Sequence, residues 1–192
     1  ETANVFLTKE EKMEFKILDS PEALEAAIRQ KNAEKPNSAR LVAGYCWHWS
    51  NPNPDGTLKE DIVIGNFRRT WEAKPNAKKL APGIPSAKLW AYDPRGVDQV
   101  GSIYTIQGFE FDYVGVIFGK DLVYDPALKD WIGRPENSAD TVLKRDKSTF
   151  LRNVKNVYRV LLTRGMKGSY VHFLDKDTES FFRSRIQNQG RA

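Results

Sequence analysis

The chain has 192 residues, 40% of them apolar and 29% charged, with a formal net charge of +5. That balance suits one soluble domain, or one domain with an insertion, able to bury a core. It excludes a bilayer span, since no apolar run approaches the roughly 20 residues a span needs, and an intrachain disulfide, since Cys46 stands alone. One cysteine with His48 and His172 is too small a set for a dedicated zinc site, and a lone thiol fits a reducing cytoplasm. The mild excess of cations would suit nucleic acid, whose phosphates release counterions when neutralised; many basic proteins bind none. Glu1-Thr2-Ala3-Asn4 has no initiator Met and no targeting pattern, so the chain is expected to start within a longer polypeptide.

Phe15-Lys16-Ile17-Leu18-Asp19 alternates as a half-buried strand does. Ser20-Pro21-Glu22 reads as a helix start, with Ser as cap and Pro in the first turn. Leu24, Ala27 and Ile28 give this helix an apolar face, and it should fade near Asn32. Arg40 to Trp47 is almost continuously apolar, the pattern of a strand covered on both faces. A turn-rich stretch around Asn51–Gly56 precedes a short strand over Asp61–Gly65, and 72–86 reads as an exposed loop. Further strands are expected at Lys88–Tyr92, Ser102–Thr105 and Tyr113–Phe118. An insertion is expected at 120–147, with a turn at Gly133–Asn137. A helix follows from about Ser148 to Thr163, where Leu151, Val154, Tyr158, Leu161 and Leu162 share a face. Tyr170–Leu174 is a strand, Asp177 should cap a last helix carrying Phe181, Phe182 and Ile186, and the tail 188–192 should fray.

Strands alternating with helices, several strands apolar throughout, predict an α/β domain with a mostly parallel sheet flanked by helices. Fold class alone supports no function. No Gly-x-x-x-x-Gly-Lys-Ser/Thr phosphate loop occurs anywhere in the chain.

Two segments carry the chemistry. The first is Gly101-Ser102-Ile103-Tyr104-Thr105-Ile106-Gln107-Gly108-Phe109-Glu110-Phe111-Asp112, an apolar stretch running into a Gly flanked by Gln and Glu. Gly108 lets a backbone approach a ligand with no Cβ in the way. Glu110 can accept from a pair of ribose hydroxyls, and Gln107 can both donate and accept. The bland alternative is a tight turn with Glu110 facing water. The second segment, Tyr158 to Gly168, ends an apolar helix on Thr163-Arg164. Arginine stays charged, and its planar fork grips two phosphate oxygens at once. Alternatively Arg164 merely complements the helix dipole before Gly165 ends the helix. Lys167 suits solvent or a phosphate. Among the tryptophans, Trp47 and Trp90 fit packed strands, while Trp71 and Trp131, in looser segments, are the better candidates for stacking a base.

Together with Tyr45-Cys46-Trp47, the segments Gly101–Ile117 and Tyr158–Gly168 resemble a bacterial family of helicase-like ATPases distantly related to the Schlafen proteins. The resemblance runs from about Phe15 to Leu174 and corresponds to the C-terminal half of a full-length member. It implies a RecA-like second motor domain of superfamily 1, spanning 1–192, with ATP and Mg bound mainly by an N-terminal RecA-like partner domain. Gln107, Gly108 and Glu110 match the fifth helicase motif, and Thr163 and Arg164 the sixth. On this footing Arg164 is the expected catalytic arginine finger, with Gly108, Glu110 and Thr163 as nucleotide-binding residues. Gln107 would couple nucleotide state to bound single-stranded DNA or RNA. The chain alone, lacking a phosphate loop, is expected to be inactive. A non-enzymatic nucleic-acid-binding module, or an α/β interaction domain without a ligand, remain open alternatives.

Overall fold

The computed structural model describes residues 13–187. In chain order they form β1 (Glu14–Ile17), α1 (Pro21–Glu34), β2 (Ala39–Ala43), β3 (Ile62–Ile64), β4 (Phe67–Arg69), α2 (Ile103–Ile106), β5 (Phe111–Phe118), β6 (Leu122–Asp125), β7 (Asp130–Gly133), α3 (Lys147–Leu162), β8 (Gly165–Phe173) and α4 (Lys176–Gln187). Four of the strands make one sheet in the order β1-β8-β5-β2, and every pairing in it is parallel. β3–β4 and β6–β7 are separate antiparallel hairpins.

Both faces of the sheet are covered, as near-continuous apolar strands require. On one face Leu24 and Ile28 of α1 meet Leu41, Ala43, Ile117 and Tyr170. On the other, Phe150, Val154, Tyr158 and Leu161 of α3 pack on Val114, Val116, Phe118, Val171 and Phe173, with Phe182 of α4 alongside. The strand residues alternate between these two layers with the period of two that a pleat imposes. The expected parallel α/β architecture is the observed one. No helix among the described residues is long and apolar enough to cross a membrane.

Local chemistry sets the element ends. Ser20 caps α1 by accepting from the Ala23 amide at 3.1 Å, with Pro21 in the first turn. The last helix is capped by Asp175 instead of Asp177: the Asp175 carboxylate accepts from both the amide and the hydroxyl of Thr178. β2 ends at Ala43 and not at Trp47, because the Cys46 amide turns back onto the Gly44 carbonyl at 2.8 Å. The 120–147 segment contains the β6–β7 hairpin, and the expected turn there is a short 3₁₀ segment at Pro135–Asn137. The tail 188–192 lies outside the described residues.

Two expected strands are absent. Ser102–Thr105 is not extended: Ile103–Ile106 forms the one-turn helix α2, because the Ser102 carbonyl accepts from Thr105 and Ile106. The strand position just before it belongs to Val100 and Gly101, which bridge to Trp71 and Val42 and carry the sheet past β2. Lys88–Tyr92 is a run of turns wound around the buried Trp90. The periodicity of that stretch reflects one core anchor and not a ladder.

Candidate functional site

In the parallel sheet β5 and β8 begin side by side, and this shared amino end brings the two sequence segments together. Phe111, the first residue of β5, donates its amide to the Arg164 carbonyl at 2.9 Å and lies opposite Gly165. The register then slips: Tyr113 faces Gly168, so β8 spends one residue more than β5 across this step. A Cβ on Gly165 would collide with the Gly168 carbonyl, so the turn out of α3 needs glycine at this position.

Gln107, Gly108 and Glu110 lie exposed on the connection from α2 to β5. Gly108 has φ +92°, a backbone conformation that side chains rarely adopt, and nothing lies within 4 Å of where its Cβ would be. Glycine suits this position through turn geometry and open access, not crowding. Phe109 closes the turn by donating to the Ile106 carbonyl at 3.0 Å.

Thr163 is exposed and ends α3, with its hydroxyl donating to the Arg159 and Val160 carbonyls at 2.9 and 3.2 Å. The Arg164 side chain is half-buried. Its Nε is buried and has no hydrogen-bond partner among the described residues. Leaving a buried donor unpaired costs about 1–3 kcal/mol, and an anion at this edge would relieve that cost. Among the described residues the guanidinium makes no hydrogen bond to the last carbonyls of α3, although its place at the end of α3 also suits the helix dipole.

Sequence reasoning missed the groups around this edge. Asp112 is buried at the register slip and accepts from Lys35 at 2.9 Å and Lys167 at 3.0 Å. These two ammonium groups hold its carboxyl below the usual range. Lys167 therefore belongs, with Lys35, to an ion-paired cluster on Asp112. The signal available was Asp112 itself, an acid inside an otherwise apolar strand.

The opposite, carboxyl end of the sheet holds Glu72, which is fully buried. Its Oε1 accepts from the Ser102 amide at 3.2 Å and hydroxyl at 2.7 Å, while Oε2 has no partner among the described residues. Burial pushes its pKa up to about 7, against the lowering effect of the hydrogen bonds from Ser102. The folded state thus holds this proton more tightly than an unfolded chain does. The stability so gained is complete below the ordinary carboxyl pKa of about 4.5 and is lost as pH rises through about 7. Glu72→Gln removes the titration, so its melting temperature relative to wild type should climb between pH 5 and pH 8. The spread is several degrees, from a linkage of roughly 3 kcal/mol. Parallel melting curves across that range check it, and a pH-independent difference would refute it.

The tryptophans divide differently from expectation. Trp71 is buried under Tyr45, Trp47 and Trp49, and its indole donates to the His48 carbonyl at 3.1 Å, so it is a core residue. Trp131 is half-buried against Phe118, Tyr124, Phe181 and Phe182. Trp90 is fully buried, as a packed residue should be. Among the other cations, Arg69 is held by Glu25, while Lys78 and Lys79 are exposed.

Over 171 residues the chain is 30% identical to the protein described as "Uncharacterized protein YPL245W" of Saccharomyces cerevisiae (strain ATCC 204508 / S288c). That alignment covers 85% of this chain and 35% of the yeast protein, so the chain spans about a third of its relative's length. The family described as Schlafen group 3, DNA/RNA helicase domain, matches residues 1–175. The family is thus a Schlafen group itself, and the relative is a yeast protein and not a bacterial one. With the parallel sheet, the two segments meeting at its amino end and a match over most of its length, the chain belongs to the Schlafen group 3 DNA/RNA helicase domain family.

Proposed function

We propose that this domain is the second RecA-like motor lobe of an ATP-dependent DNA or RNA helicase or translocase, receiving ATP against the amino ends of β5 and β8. The observation that carries the reading is the half-buried Arg164. Its Nε is unpartnered among the described residues, and its backbone is bonded to the strand that starts right after Glu110. A guanidinium so placed suits a phosphate group, since its fork is fixed and its charge permanent. Glu110, exposed and able only to accept when ionised, suits the ribose hydroxyls. Gly108 leaves the approach open, and Thr163 shapes the turn that presents Arg164. Gln107, at the end of α2, stands where nucleotide occupancy and strand occupancy could be linked.

The chain has no phosphate loop, so the other lobe would hold the triphosphate and its Mg, which neutralises charge on the phosphates. What this chain's own residues contribute is the far side of the cleft: a cation for the transferring phosphate and an acceptor for the sugar. The test is ATP hydrolysis by the full-length protein with and without single-stranded DNA or RNA. Strand-stimulated turnover is expected. Strand binding with steep salt dependence but no turnover would instead make the domain a non-enzymatic binding module.

A further inference from the structure

Helix α3 carries four cations, Lys147, Arg152, Lys155 and Arg159, and no carboxylate in its 16 residues. Among the described residues none of the four belongs to an ion pair. Arg159 donates only to the neutral Asn156 side chain, at 3.3 Å. Arg152, Lys155 and Arg159 follow one another at three and four residues, so they form one stripe along the helix. The helix dipole accounts for a cation in the last turn, where Arg159 stands, but not for Arg152 and Lys155 in the middle. A helix face built only for water ordinarily mixes both signs. This one does not.

Beside the stripe, between α3 and α4, runs a groove of about 360 Å³ with Lys155 and Arg159 on its rim. Its floor is Phe118 and Tyr158, stacked at 3.7 Å between ring centroids. Its walls are Trp131 of the β6–β7 hairpin and Phe182 of α4, both half-buried. From Lys155 to Thr163 it follows α3 for about 12 Å. No carboxylate lines it, and it meets the candidate site only at Thr163.

We propose that this groove docks an acidic amphipathic helix from a partner protein. Carboxylates four residues apart on such a helix would meet Lys155 and Arg159, themselves four apart, while its apolar face lays anchor side chains against Trp131 and Phe182. Aromatic walls supply the binding energy of an interface, and complementary charge on the rim sets its register. A nucleic-acid strand would satisfy the cations, but the floor rings Phe118 and Tyr158 are each 2% exposed and stack on each other, which leaves no face for a base. Docking here is independent of whether the domain turns over ATP.

The experiment selects binders from a displayed library of random peptides of about 14 residues, roughly four turns of helix. The bait is the full-length protein, with its Lys155→Glu/Arg159→Glu double variant and Trp131→Ala beside it. Wild type should return peptides with carboxylates four apart and large apolar residues three or four apart. The affinity of these peptides, read by fluorescence anisotropy, should fall about tenfold or more in the double variant, where like charges face each other. Exchanging the peptide's carboxylates for Lys should restore binding to that variant. Neither cation has a charged partner to lose, so the double variant should melt within about 2 °C of wild type. Trp131→Ala, which removes a wall, should weaken the same peptides comparably.

A selection that returns no acidic peptide, or peptides that bind wild type and the double variant alike, overturns the docking site. Dependence on the cations with indifference to Trp131→Ala overturns the groove as its seat. A single-stranded oligonucleotide that loses affinity in the double variant, while no peptide is selected, overturns it as well and makes the stripe a phosphate-binding surface. None of these readouts involves ATP turnover, so the motor reading stands or falls separately.

Discussion

Replacing Arg164 with Ala should lower strand-stimulated ATP turnover of the full-length protein by about a hundredfold or more, since an arginine acting on a transferring phosphate supplies about 10³–10⁵ in rate. Arg164→Lys should recover little of it, because a point charge on a flexible stem cannot reproduce the planar fork. The fold should not notice either change. The structural link at this position is backbone, from the Phe111 amide to the Arg164 carbonyl, and any side chain keeps it. Removing a buried Nε that has no partner among the described residues should leave the melting temperature unchanged or raise it slightly. Lost turnover with an intact melting curve separates a chemical role from a packing one. Turnover within about tenfold of wild type would remove Arg164 from the chemistry, far short of what such a group supplies.

Arg40→Met should be the most damaging substitution for stability. Met fills similar apolar volume, but it strands the carbonyls of Trp90, Ala91 and Asp93, along with contacts to Asn32 and Asn37. Hydrogen bonds to a charged donor contribute about 1.5–3 kcal/mol each, and orphaned buried carbonyls add their desolvation cost. A loss of about 3 kcal/mol or more is expected, or roughly 6–12 °C in melting temperature for a chain of this size. Burial already works against the charge, pulling the Arg40 pKa down to about 10, so the loop geometry is what retains it. Hydrogen exchange should accelerate first at 90–93. A melting temperature within about 2 °C of wild type would show that the carbonyls find other partners.

The layers of this domain were legible because burial writes itself into periodicity. The continuous run at Leu41–Ala43 and the spacing of Val154, Tyr158 and Leu161 can be satisfied only by a two-faced sheet and a one-faced helix. The meeting of the two motif segments was not legible, since it depends on β5 and β8 being adjacent parallel strands that start at the same edge. What failed were short segments whose state is decided from a distance. Ser102–Thr105 has strand composition, yet Glu72, 30 residues upstream, takes the Ser102 amide and hydroxyl and the backbone coils there. Lys88–Tyr92 has an apolar run short enough for a strand, yet a charge on another element gathers its carbonyls. Arg40 was visible as an anomaly in an apolar run, but its partners could not be named without the fold. The same holds for Trp71, whose loop-like neighbourhood in sequence conceals a core position.

A helix of four residues has too few internal bonds to persist alone, so α2 exists by external scaffolding. Its first turn is gripped at Ser102 by a carboxylate whose second oxygen is unbonded among the described residues. Its far end passes directly into Gln107 and the left-handed Gly108. The bearing of those two residues is therefore borrowed from the opposite edge of the sheet. Any event that loosens Glu72, be it the loss of its proton, a mutation or a movement of its loop, should be read out at the strand starts as a lost turn of helix rather than as a rearranged side chain.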